Sequence, residues 1–365
     1  MANLLEKIEA ALAIEQDLVK CAELSARKAL YLSRVGRFAE AKIIVSSLRH
    51  QYGDGHNPII SVWIILAEGV ADFFENLGAR ARDRISRAYL LGVAIGDRRL
   101  AAITSSWKAH IEFESSNFDS MAKALKVCLD NIDDDNNDAK TRFEMIIANC
   151  LFLCGDREKA QKWFLLSRDS ALKIGDQATI DALIYNRAAF AMARLRAERC
   201  TGAVDQREVA RIHLELTSAK NYQEIAGIGA VNHFVDLCLA RALILEEKFD
   251  LALEALVAVR SVGPFAAYNF SLALIDLEMA FCLSKLGRTL EASEKLSLAL
   301  GADYTELDVD DRLVVVWLFS EMRRETNSIG QLENISLNIN EVSDEYDLIY
   351  KNLRRLVLNL VDEIA

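Results

Sequence analysis

Cysteine, histidine and carboxylate side chains are the groups of this chain that could ligate a metal, attack an electrophile or move protons. Cys150 and Cys154 stand one helical turn apart and could offer two ligands, yet no histidine or second cysteine pair lies nearby in sequence. The seven cysteines are an odd number scattered through helical patterns, which reads as reduced, buried apolar thiols. The acidic run "DNIDDDNND" at 130–138 lacks the glycine and terminal glutamate of an EF-hand loop and reads as a solvated turn. "RHQYGDGH" at 49–56 sets Arg49 and His56 seven positions apart, a spacing known from some helical nucleases, but here it straddles a predicted turn. Neither a phosphate-cradling glycine loop, a G-x-S-x-G elbow nor an H-E-x-x-H pair occurs. The expectation is a protein with no catalytic residues, no metal site and no cofactor.

A second group of side chains could bind without reacting: Arg34, His110, Asn149, Arg196, Arg241 and Lys285. A guanidinium grips a carboxylate bidentately, and a carboxamide can hold the backbone amides of an extended peptide. Whether these six share a surface depends on the elements that carry them.

Those elements are periodic. "GRFAEAKIIVSSL" at 36–48 is echoed by "SNFDSMAKALKVC" at 116, "GDREKAQKWFLLS" at 155, "EKFDLALEALVAV" at 247 and "GRTLEASEKLSLA" at 287, with a looser "NLGARARDRISRA" at 76. The shared anchor falls at Ala41, Ala81, Met121, Ala160, Ala252 and Ala292, with gaps of 40, 40, 39, 92 and 40. The long gap holds two units and predicts an irregular seventh copy near Ala203. Twelve residues before each anchor stand Ala29, Gly69, Ala109, Ala148, Ala240 and Ala280, all small, as two closely crossing helices require. Four residues after it come Val45, Ile85, Leu125, Phe164, Leu256 and Leu296, the one-face spacing of a second helix. Between units "YGDG" at 52 and "IGD" at 95 and 174 read as a glycine ending one helix and an aspartate capping the next.

Composition agrees. The 365 residues are 52% hydrophobic and hold only 2 prolines and 16 glycines, as expected of long helices with short turns. A net charge of −11 opposes attraction to nucleic acid or to an anionic membrane. The most apolar stretch, 59–74, is interrupted by Glu68 and Asp72, and "MANLLEKIEAAL" has no signal-peptide core, so a cytoplasmic protein is expected.

The order of small residue, turn, aromatic and small residue resembles the tetratricopeptide repeat over about residues 20 to 300. It departs in a unit near 40 residues in place of about 34, and in a single proline, Pro264, near where that family closes a repeat. Units of this length are similar to the helical-repeat sensor regions attached to bacterial transcriptional regulators and cyclase-type signalling proteins. The resemblance implies an all-α fold, a right-handed α-solenoid of about seven helix-turn-helix repeats over 1–302, with capping helices over 303–365. In the tail, Leu353, Leu356 and Leu360 either complete that cap or pair two copies of the chain as a homodimer.

In such a stack the first helices line the inner face. One residue after the small position lie Leu30, Val70, His110, Asn149, Arg241 and Phe281, with Met192 from the irregular copy; five after it lie Arg34, Phe74, Glu114, Leu153, Arg196, Leu245 and Lys285. The expected function is a protein- or peptide-binding scaffold whose concave groove takes an extended or acidic segment. The alternative is a ligand-sensing subunit that controls an effector enzyme.

Overall fold

The computed structural model describes residues 3–53, 55–76, 79–133, 135–229, 232–262, 269–305, 307–325 and 339–362. Asp54, Gly78, Asp134, Pro264 and the break at 326–330 lie outside these residues. Within them the chain forms seventeen α-helices and no strand. Fourteen join as seven hairpins: α2 (Leu18–Arg34) with α3 (Phe38–Tyr52), α4 (Pro58–Asn76) with α5 (Ala79–Ile95), α6 (Arg98–Glu114) with α7 (Phe118–Asn131), α8 (Asn137–Leu153) with α9 (Arg157–Ile174), α10 (Gln177–Thr201) with α11 (Gln206–Ala226), α12 (Asn232–Leu245) with α13 (Phe249–Val262), and α14 (Asn269–Lys285) with α15 (Thr289–Leu300). α1 (Leu4–Ile14) precedes them, and α16 (Val309–Glu325) and α17 (Ile339–Asp362) follow.

Five hairpins turn in the same way. The residue five before the anchor is left-handed: Gly36, Ser116, Gly155, Glu247 and Gly287 have φ of 87°, 53°, 74°, 59° and 73°. The next backbone N–H then reaches back to the last turn of the first helix, from Arg37 to Leu32 at 2.8 Å and from Asn117 to Glu112, Asp156 to Leu151, Lys248 to Leu243 and Arg288 to Leu283 at 2.9 Å. This satisfies a carbonyl that the helix end would otherwise leave bare. Between hairpins, Gly96 and Gly175 are left-handed, and Asp97 and Asp176 accept from the N–H groups of Leu100 and Thr179 at 2.8 and 3.0 Å. The two IGD turns therefore perform the capping tasks that the sequence implies, whereas at YGDG Gly53 ends α3 at a right-handed φ of −73° and Asn57, whose Oδ1 accepts from Ile59 N–H at 3.0 Å, caps α4 instead.

All six anchors, their six small partners and the six residues four positions later are buried. Small residues are needed here because the helices touch: a Cβ placed on Gly69 of α4 would lie 2.8 Å from Ile85 Cγ1 of α5. The seventh copy is registered differently. Ala203 is exposed in the turn between α10 and α11, and the buried row of α11 begins at Val209, followed by Ile212 and Leu216. Met192, expected on the open face, instead shares a core cluster with those three residues.

The chain forms two compact units. The first comprises Met1–Ile184, Tyr222–Val231 and Leu353–Ala365; the second comprises Tyr185–Asn221 and Asn232–Asn352. In the first, Leu4 and Ile8 of α1 cluster with Tyr31, Val35, Ala178 and Ile228. The end of α17 belongs there too: Leu353, Val357 and Leu360 are buried, and Arg354 Nη2 meets Asp156 Oδ2 at 3.0 Å. Two of the three leucines offered for pairing chains are thus covered within one chain, and Leu356 is half-buried. In the second unit, Leu313, Val314, Leu318 and Phe319 of α16 join Leu274, Leu277 and Phe281 of α14 and Leu296 and Ala299 of α15 in one cluster.

Candidate functional site

The first unit carries a recess, open to solvent, that gathers side chains distant in sequence. α2 contributes Arg27, Tyr31 and Arg34, α4 Trp63, α6 Trp107, α8 Asp138 and Arg142, and the turn before α10 Asp176. Two of the three arginines are paired. Arg27 Nη2 meets Asp138 Oδ2 at 2.6 Å. Arg34 donates from Nη1 to Asp176 Oδ2 at 2.8 Å and from Nη2 to Thr179 Oγ1 at 2.5 Å. Burial opposes the charge on Asp176, but Arg34 and Thr179 outweigh it and hold its carboxyl below the usual value. Tyr31 is pushed up to about 12 by burial and by Asp176, so its hydroxyl keeps its proton.

Arg142 is different. It is 7% exposed, its Cζ stands 3.4 Å from the centroid of the Trp107 ring, and it makes no hydrogen bond or ion pair among the described residues. Its Nε is buried without a partner. Burial, then the positive charge of Arg34, pushes Arg142 down to about 9. Stacking on an indole face recovers part of the cost of burying a guanidinium but satisfies none of its N–H donors.

Of the six residues proposed from sequence, Arg34 lines this recess and His110 stands beside it. The His110 ring lies edge-on to Trp107 and Phe73, with centroids 5.7 and 5.5 Å away. Burial first, then Arg142 and Arg34, pushes His110 down to about 3, so it is neutral across the physiological range. Asn149 is 1% exposed on α8, with Nδ2 unpartnered. It lies two turns beyond Arg142 on the same helix face.

Arg196 and Arg241 come together in the second unit, around Glu278. Arg196 Nη2 and Arg241 Nε donate to Glu278 Oε1 at 2.7 and 2.9 Å, and Arg196 Nη1 donates to Asp311 Oδ1 at 2.6 Å. Burial works against the Arg196 charge, but Asp311 and Glu278 outweigh it and raise the guanidinium above its ordinary value. These arginines are matched by this chain's own carboxylates. They border a smaller recess, where the Arg199 guanidinium stands 5.2 Å from the Trp317 ring centroid. Lys285 is exposed, with Nζ 5.1 Å from the Phe281 ring centroid.

Sequence reasoning misses Arg142, Trp107, Trp63 and Asp176 as neighbours. One signal was available for Arg142: in the largely apolar "RFEMIIANC" it is a cation seven residues before Asn149 and so on the face already singled out.

Among the described residues, no group of three metal-ligating side chains occurs, and no helix is long and apolar enough to cross a membrane. No protein-family model matches the chain. No curated protein matches it either. Among solved structures, the chain is similar to a crystal structure of a Rap protein complexed with Competence and Sporulation Factor, at 11% identity and a TM-score of 0.57, over 94% of this chain and 98% of that one. Helical hairpins, repeat register and this likeness together define the fold as a tetratricopeptide-like helical repeat of the α-solenoid type.

Proposed function

We propose that the protein is a non-catalytic helical-repeat receptor that binds a peptide or an extended protein segment, and that the recess of the first unit is where it does so. The observation that carries this reading is the recess itself. Two tryptophans and a tyrosine provide apolar walls, and arginines held on α2 and α8 provide polar contacts of fixed geometry. A surface built from packed helices is ordered before the ligand arrives, so less of the binding energy goes into arranging it. Arg34, His110 and Asn149 would act from the first unit; Arg196 and Arg241 belong to the second unit and would contribute through the recess they border, and Lys285 from its exposed position on α14.

A regulatory role is the second reading. It is favoured by the Rap structure, which holds a factor on a fold of this kind. Binding would then bias the packing of the hairpins and so control an associated effector. Capture of partners from the native cell tests both. A protein or peptide recovered with the wild-type chain, and displaced by a synthetic copy of its bound segment, is the expected result. No protein partner, together with a melting temperature raised by a metabolite, would discard the receptor reading.

A further inference from the structure

We propose that Arg142 anchors a carboxylate of the bound peptide, received against Trp107 in the recess of the first unit. This rests on the reading that the ligand is a peptide and adds the chemical group that the site selects.

Three arginines line the recess, Arg27, Arg34 and Arg142, against two carboxylates, Asp138 and Asp176; Glu23 also stands 3.8 Å from Arg27 but is engaged by Arg99 at 3.0 Å, so one positive charge remains in excess. Each aspartate is engaged by a different arginine at 2.6 or 2.8 Å, and neither makes an ion pair with Arg142. Asp176 and Asp138 attract the Arg142 charge only partly, since burial and Arg34 outweigh them, and a buried cation with no direct partner is costly to keep where a leucine or methionine would pack. The guanidinium is also prearranged. With one face against the Trp107 ring, its plane is held, and its N–H donors remain for a planar acceptor.

The chemistry of the occupant follows from charge and shape. A carboxylate is a monoanion that matches the single excess charge and accepts two parallel N–H bonds from one guanidinium. A phosphate monoester carries nearly two charges at neutral pH and would bring the second close to Asp138 and Asp176. The aromatic walls suit the apolar atoms beside the carboxylate. Two sources present this group on a peptide, an acidic side chain and the carboxyl terminus.

Both are tested on the full chain with short blocked peptides. Acetyl-Ala-Ala-Glu-Ala-amide carries only a side-chain carboxylate, acetyl-Ala-Ala-Ala-Ala only a terminal one, and acetyl-Ala-Ala-Gln-Ala-amide neither; inorganic phosphate is the fourth probe. The readout is the indole N–H signal of Trp107 at millimolar probe. One of the two carboxylate peptides is expected to move it saturably, and the better of them identifies the source. Arg142→Met is expected to weaken that binding about tenfold or more, the loss of a charge-assisted pair, while the free variant melts no lower than wild type. Arg142→Lys, which keeps the charge but not the fork, is expected to fall between them and stands in if the methionine variant does not fold. Equal binding of the glutamine peptide, tighter binding of phosphate, unchanged binding by Arg142→Met, or no saturable shift with either carboxylate overturns the proposal. Arg142→Met that still captures the native partner with wild-type affinity discards the anchor and leaves peptide recognition standing.

Discussion

Asp181, on α10 within the first unit, shows what a buried charge does when its partners are weak. Its Oδ2 accepts from Gln223 Nε2 at 3.2 Å, and its Oδ1 is buried without a partner. Burial pushes the carboxyl up to about 7. In the unfolded chain it titrates near 4. The folded state therefore holds a proton between about pH 4 and pH 7 that the unfolded state has released, and stability falls as pH rises through that window. Asp181→Asn is expected to stabilise the protein by about 2 kcal/mol at pH 8 and not at pH 4, as calorimetry at the two pH values would show. His110 works from the other side. With its folded pKa pushed down to about 3, the unfolded state binds a proton first as pH drops below about 6.5, and stability is lost at about 1.4 kcal/mol per pH unit. His110→Phe keeps a ring among Phe73 and Trp107 and is expected to flatten this acid limb; urea midpoints at pH 7.5 and 4.5 measure it. The arginines of the second unit have a different status. Glu278 and Asp311 already answer Arg196 and Arg241, so reversing the charge at Arg241 would break a buried network and report on folding.

At the scale of the element, the repeat depends on contact between two helices. Gly69 is the sharpest case, because any side chain there meets Ile85. Gly69→Ala is expected to cost about 1–3 kcal/mol, and the cost should largely vanish in an Ile85→Ala background, where the obstructing atoms are gone. A double-mutant cycle by chemical unfolding checks this, and additive losses would show that the helices do not touch there. Much of this level was legible in the sequence. Small residues twelve positions apart and an apolar row four positions on are direct consequences of helix geometry, and the buried positions follow them. The turns were legible through glycine in three hairpins, whereas Ser116 and Glu247 adopt the same left-handed conformation without it. The register of the seventh copy was not legible. Its turn runs through 202–205, and Val209 occupies the place that spacing alone assigns to Ala203.

At the scale of the molecule, the end of the chain is a structural part of its beginning. Residues 353–365 belong to the same compact unit as residues 1–184, with Leu353 and Val357 fully buried there. Leu353→Ala is expected to destabilise that unit by about 2–5 kcal/mol, seen as earlier loss of protection in hydrogen exchange of α8 and α9. Unchanged exchange there would mean that the helix end contributes nothing to the unit. The sequence by itself determined the class of the protein, its helical hairpins and the residues that hold them together, because helix periodicity and turn chemistry are local and repeat along the chain. Tertiary structure decided which charges are matched. Arg34 and Asp176, or Arg142 and Trp107, are far apart in sequence and become neighbours only when separate hairpins pack. Charge balance in a recess is a sum over all of those neighbours, and no local spacing encodes it.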